Sequence, residues 1–304
     1  DIVDALIGDN ILINYTGVID KNTEIQDVAV VDYTTIAATT NENGIPNDWL
    51  DNGIFSKYYN LAYNKLKTLS LDEKIGQLFL VRYPDNKAIE DLKKYKLGGF
   101  VFFTKDFKDK NKNDVVKMIK DLQTASNIPL LTAVDEEGGA IVRISGNPNL
   151  ASEKFKSSSE LYKLGGLDKI RQDTIDKSKF LHGLGLNLNL APVVDVTANP
   201  SDYIYNRTIQ QDTDITSKYA ETVIKASKGT KVSYTLKHFP GYGSNKDTHN
   251  GSSTDTKTYS DLEKYDLPPF KAGINAQAEA VLVSHNTISS LDSTNPASLS
   301  PSVH

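Results

Sequence analysis

A chain of 304 residues is long enough for one large domain or two modest ones around a substantial core. A formal charge of −5 and a pI near 5.6 exclude a dominant basic patch and with it a nucleic-acid binder. The absence of cysteine removes disulfides, thiolate metal sites and cysteine nucleophiles together, and no apolar run approaches the ~20 residues that span a bilayer.

Residues 1–50 read as a short β-rich appendage and linker. Two β-branched runs, Ile11 to Ile19 and Val28 to Ala37, flank the polar turn Asp20-Lys21-Asn22, and the polar stretch Thr39 to Asp48 follows. Residues 51–304 read as the main domain. Apolar positions recur at helical spacing from Ile54 to Leu69, and Ser70-Leu71-Asp72-Glu73 has the form of a capping box. Strands are then expected at Leu78 to Val81, Leu97 to Phe103, Leu130 to Val134, Leu186 to Val196, Val232 to Leu236 and Ala280 to Val283. Between them, helices are expected at Ile89 to Tyr95, Val115 to Ser126, Ser158 to Leu184, Asp214 to Lys228 and Leu267 to Ala278.

Strands that are apolar throughout, alternating with helices, predict an α/β fold with a parallel sheet covered by helices. Polar residues decide between an open sheet and a barrel. Asp135, Asp195, Lys237-His238 and His285 sit just past the C-terminal ends of four different strands. A closed barrel brings that many strand ends to one mouth, whereas an open sheet gathers only those at its switch point. The expectation is therefore a (β/α)8 TIM-type barrel of which about six βα units are present.

The densest chemistry lies in Val232 to Asn250. A strand-like run ends in Lys237 and His238, Pro240, Gly241 and Gly243 break regular structure, and a polar loop closes on Asp247-Thr248-His249. The same residues could form a strand-to-helix turn whose Asp caps the next helix. Two of the five histidines, a Lys and an Asp in one turn favour a site. An imidazole titrates near neutrality, so it can protonate a leaving oxygen and later take a proton from water, while a neighbouring carboxylate orients it. The glycines and exposed polar residues of Gly241 to Gly251 predict a loop with few buried contacts.

These segments resemble family 3 glycoside hydrolases of the bacterial β-N-acetylglucosaminidase type. The resemblance runs from about Phe55 to the last residue through LSLDEKIGQLFLVR, AVDEEGGAIVRI, LNLNLAPVVDV, KHFPGYG with DTH, LVSHNTI and PASLSP. It implies a β-N-acetylhexosaminidase acting on glycans such as cell-wall fragments, with no cofactor and no metal. By the same resemblance Asp247 and His249 form the catalytic dyad, His249 acting as general acid and then base. Asp135, Arg143, Arg207, Lys237, His238 and His285 match substrate-binding positions, whereas Asp195 is expected to brace an Arg or Lys.

Two departures stand out. The stretch between Gly243 and Asp247 is one residue shorter than in familiar members. A retaining glycosidase also needs a carboxylate opposite the acid, and the family carries its Asp nucleophile downstream of PASLSP, beyond His304. The sequence thus predicts that a second polypeptide segment completes the barrel, with the N-terminal runs and Asp32 as the fallback. Three other functions stay open: a phosphorylase, since a neutral imidazole does not repel phosphate; a non-catalytic sugar-binding module; and a metal hydrolase using His238, Asp247, His249 and His285, for which no HxH or HExxH spacing speaks. An extracytoplasmic or cell-surface bacterial protein is expected, with a cytoplasmic one as the alternative.

Overall fold

The computed structural model describes residues 11–12, 29–30, 40–51, 53–245 and 251–304. The chain forms two compact units, residues 1–68 and 69–304. In the first, Ile11–Leu12 pairs antiparallel with Ala29–Val30, and Trp49 meets Tyr63 of the helix Tyr59–Leu66 edge to face. The remainder of the two expected N-terminal strands, with Asp32, lies outside the described residues.

The second unit is built on six parallel strands: β1 (Leu80–Arg82), β2 (Gly99–Phe102), β3 (Leu131–Val134), β4 (Leu188–Asn189), β5 (Ser233–Phe239) and β6 (Ala280–Val283). Their spatial order is their chain order, with no reversal. A doubly wound sheet would reverse at its switch point, so these are six βα units of a TIM-type barrel. The longer helices beside them are α1 (Leu71–Gln77), α2 (Ala88–Tyr95), α3 (Lys112–Ala125), α4 (Ser158–Gly183), α5 (Thr213–Ser227) and α6 (Leu267–Asn275). Side-chain oxygens start four of them. Ser70, Asn111 and Ser157 form capping boxes with Glu73, Asp114 and Glu160, and Asp212 accepts from the amide of Ile215. Helix α4 is interrupted at Gly165-Gly166, where Gly166 takes φ 60°.

Alternation along β2 divides the apolar residues between the two faces of the sheet. Phe100 and Phe102 join Phe107, Ile119, Leu181, Leu236 and Phe270 in the main core. Val101 turns the other way, onto a small cluster of Leu80, Ala133, Leu188 and Leu190. The fourth strand is much shorter than the expected Leu186 to Val196. Pro192 has no amide to give a ladder, yet the chain still follows β5, with the amides of Thr235 and Lys237 donating to Ala191 and Pro192. That course sets Asp195 beside the end of β5. Strands β1 and β6 each have one neighbour in the sheet among the described residues.

Candidate active site

Strand β3 delivers three acids in succession, and each goes a different way. Glu136 is fully buried and acts on its own loop: its carboxylate accepts the amides of Arg143, Ile144 and Ser145 and the Ser145 hydroxyl. Glu137 takes Arg207 in a two-pronged grip, Nε to Oε2 at 3.0 Å and Nη2 to Oε1 at 2.7 Å. Asp135 meets Lys237 Nζ at 2.7 Å and Arg143 Nη2 at 3.9 Å. Two glycines let the loop lie flat after these acids. A Cβ on Gly138, at φ 104°, would stand 2.1 Å from the carbonyl oxygen of Lys156.

Strand β5 supplies the matching cation and imidazole. Lys237, 2% exposed, bridges the two acids, with Nζ 2.7 Å from Asp135 Oδ1 and 2.7 Å from Glu137 Oε1. His238 places Nδ1 2.7 Å from Asp195 Oδ2, and its Nε2 lies 3.3 Å from Arg207 Nη2. Since a guanidinium only donates, this geometry assigns the proton to Nδ1 and the acceptor to Nε2. Burial alone would push the Glu137 carboxyl up. Lys237 and Arg207 outweigh it and hold the group down at about 2, and Glu137 in turn holds the Arg207 guanidinium above its ordinary range despite its burial.

The fold thus gathers Asp135, Arg143, Arg207, Lys237 and His238 at the C-terminal ends of β3, β4 and β5 and their loops. His285 follows β6, the strand that pairs with β5. It lies exposed beyond β6 with Nδ1 2.8 Å from Ser298 Oγ. Asp247 and His249 lie outside the described residues, as do residues 246–250 as a whole. Among the described residues Asp195 holds an imidazole rather than the expected Arg or Lys. It is 1% exposed and holds the His238 ring, and its Oδ1 accepts the Tyr242 amide at 2.6 Å. In the described parts of the Gly241 to Gly251 loop, Gly241, Tyr242, Gly243 and Asn245 are buried, whereas Ser244 and Gly251 are exposed.

Sequence reasoning missed Glu137, the residue through which the cluster is connected. Its signal was present: a second acid two positions after Asp135 at a strand end, ahead of two glycines. Asp266 and Lys257 were also missed. Lys257 Nζ lies 2.8 and 2.7 Å from the two oxygens of Asp266 and 3.9 Å from Asp255 Oδ2. Burial pushes the Asp266 carboxyl up to about 6 against the pull of Lys257. Among the described residues no three His, Asp or Glu side chains are grouped as metal ligands.

Residues 70–303 match the model of the glycosyl hydrolase family 3 N-terminal domain. The chain belongs to glycosyl hydrolase family 3. It is 33% identical over 175 residues to beta-hexosaminidase LpqI of Mycobacterium tuberculosis, covering 57% of this chain and 44% of that protein. It is 31% identical over 199 residues to a beta-hexosaminidase of Xylella fastidiosa, covering 62% of this chain and 56% of that one. Among solved structures, a glycoside hydrolase family 3 beta-N-acetylglucosaminidase from Paenibacillus sp. str. FPU-7 superposes with a TM-score of 0.71 at 25% identity, over 77% of this chain and 46% of that one. The structure of M. tuberculosis LpqI superposes with a TM-score of 0.70 at 29% identity, over 79% and 69% of the two chains. This family 3 chain spans about half the length of the curated relatives it matches.

Proposed function

We propose that the protein is a glycoside hydrolase that removes β-linked N-acetylglucosamine, or a related N-acetylhexosamine, from glycans such as cell-wall fragments. The observation that carries this reading is the connected buried cluster Asp135–Lys237–Glu137–Arg207–His238 at the strand ends. It fixes hydrogen-bonding groups of both kinds in one place, as recognition of a sugar's hydroxyls requires. Asp135 Oδ1 is taken by Lys237, while among the described residues Oδ2 has the 3.9 Å approach of Arg143, which leaves lone pairs for a hydroxyl. The beta-hexosaminidases and the beta-N-acetylglucosaminidase to which the chain is similar support the same substrate class.

In the proposed reaction His249, oriented by Asp247, gives its proton to the glycosidic oxygen as a carboxylate on the opposite face of the sugar attacks C1. The C1–O bond breaks, the alcohol leaves and a glycosyl ester remains. His249 then takes a proton from water, whose oxygen attacks C1 and frees the carboxylate. We further propose that this carboxylate arrives with two more βα units, which pair with the single-neighbour strands β1 and β6. His285, at the end of β6 and in contact with Ser298, is proposed as a further sugar contact.

The deciding experiment compares leaving groups. Replacing His249→Ala in the full protein should slow release of N-acetylglucosamine from an alkyl or sugar aglycone by ~10²–10⁴-fold, the usual worth of a general acid. Release from a nitrophenyl aglycone, which leaves without a proton, should fall far less in its first step. Equal losses on both would remove His249 from the acid role. Release of the sugar 1-phosphate only when phosphate is added would turn the reading to phosphorolysis.

A further inference from the structure

Salt bridges between residues four apart on a helix recur in this chain, and one of them differs from the others. Lys117–Asp121 on α3 and Lys225–Glu221 on α5 lie out in solvent. Asp173–Lys177 on α4 is buried, its lysine side chain 7% exposed and its carboxylate 12%, with Nζ 3.0 Å from Oδ2. The same Nζ donates to the Glu137 carbonyl at 3.1 Å and lies over the Phe155 ring, 5.1 Å from its centre.

Glu137 is thereby held at its amide, its carbonyl and its carboxylate. The amide donates to the Ile141 carbonyl at 3.0 Å, the carbonyl accepts from Lys177, and the carboxylate grips Lys237 and Arg207. The two residues that follow do little to stiffen the chain. Gly138 at φ 104° and Gly139 at φ 64° lack the Cβ that would limit how the Glu137–Gly138 peptide is turned. Packing leaves a gap there as well, for a cavity of about 20 Å³, bordered also by Tyr219 and Tyr234, lies beside Glu137. The Gly139 amide donates to the Phe155 carbonyl at 2.9 Å, so the loop after the acids and the ring that Lys177 overlies belong to one frame.

We propose that Lys177, aimed by Asp173, is a positioning residue for sugar binding: by pinning the Glu137 carbonyl it sets where the Glu137 carboxylate holds Lys237 and Arg207. The inference rests on the hydrolase reading above. Stability alone gives a poor account of the pair, since two charges taken out of water gain little over apolar side chains of similar volume. A loop that presents one carboxylate to two cations at hydrogen-bond distance does need a fixed backbone. Those cations, with Asp135, are the groups that a sugar hydroxyl would meet, and a small displacement of them costs affinity.

The test separates affinity from stability. In the full protein, Asp173→Leu with Lys177→Met removes both charges together and leaves neither unpaired, so urea denaturation should give a midpoint close to that of the wild type. KM for an alkyl N-acetylglucosaminide and the Kd of N-acetylglucosamine should both rise about tenfold, the worth of one hydrogen bond to a charged group. Over the same comparison kcat should fall less than about threefold, as when binding common to ground and transition states is lost. The solvent-exposed pair is the control: Lys117→Ala with Asp121→Ala should move neither KM nor Kd. Should the first variant fail to fold, Asp173→Asn with Lys177→Gln keeps the pair polar and uncharged but one bond too short for the Glu137 carbonyl, and the same rise in KM is expected. KM and Kd within about twofold of the wild type, whatever the stability, would end the positioning role and leave the hydrolase reading intact. A wild-type protein that neither binds N-acetylglucosamine nor releases it would take down the hydrolase reading, and the positioning role with it.

Discussion

Glu137 and Asp266 are both buried carboxylates gripped by a lysine, and they settle at opposite ends of the carboxylate range. Burial is the largest influence on each and pushes each upward. Around Glu137 two cations oppose it, Lys237 and Arg207, and the group is held down at about 2. Around Asp266 Lys257 is the one opposing cation among the described residues, while Asp255 and Asp195 add to the upward push, and the group stands at about 6. The lysines differ as well, for the Lys237 side chain is 3% exposed and that of Lys257 is 28% exposed. A buried acid is thus fixed as an anion by the number and burial of the cations that share it, not by having a salt bridge. The first arrangement suits a subsite that must not change with pH; the second leaves a joint whose charge is marginal.

The sharpest way to break this comparison is to remove each carboxylate. Glu137→Gln leaves two desolvated cations with one fewer anion between them, and breaking a buried pair on one side costs about 3–5 kcal/mol. Urea denaturation near neutral pH should show a loss of that order together with loss of turnover. Asp266→Asn should cost less than about 1 kcal/mol under the same conditions, because the partly exposed Lys257 can turn to water. Equal losses in the two variants would mean that cation number does not decide the matter.

Next in size is the imidazole between the two regions. Asp195→Asn can present an amide N–H to His238 Nδ1, which moves the ring proton to Nε2 and sets it against the Arg207 N–H now 3.3 Å away. A loss of about 10²-fold in kcat/KM on N-acetylglucosaminides is expected, with little change in fold. Nitrogen NMR of His238 should report the tautomer change, and an unaltered tautomer would remove this explanation for any loss.

Much of this was readable in the sequence, for reasons that also explain what was not. Strands such as β2 and β3 are continuous apolar runs between turns, so they could be placed from one strand's residues alone. Lys237 and Asp135 were equally legible, because a charged residue at the end of a buried strand has few other uses. Glu137 was harder. Three consecutive acids alternate in direction in a way that only the loop's path decides, and Glu136 in fact turns inward to hold Ser145. The pairing of Asp195 with His238 was not foreseen because that neighbour is set by how the chain continues past Pro192 along β5. The Lys257–Asp266 pair was invisible for the same reason: nine residues apart and on no shared helix face, they meet only through the fold.

The smallest expected effect is the pH dependence that the comparison implies, and it runs in opposite directions at the two sites. Glu137 has its ordinary value of 4.5 lowered in the fold, so its contribution is fully present above that value and is lost only as pH falls toward about 2. Asp266 has its ordinary value of 3.8 raised to about 6, so between those values the folded protein holds a proton that the unfolded chain has released. Stability must then fall as pH rises through that window and level off above it. Between pH 5 and pH 7 the Asp266 contribution amounts to a loss of roughly 1 kcal/mol, about half of what its full shift allows. Other groups titrate in the same range, but they are common to wild type and Asp266→Asn, so the difference between the two stability curves isolates this one. The variant should gain on the wild type by that amount as pH rises from 5 to 7, and the Glu137 cluster should add nothing to the difference. A flat difference curve would place Asp266 as a fully ionised partner of Lys257 and would remove the contrast with Glu137.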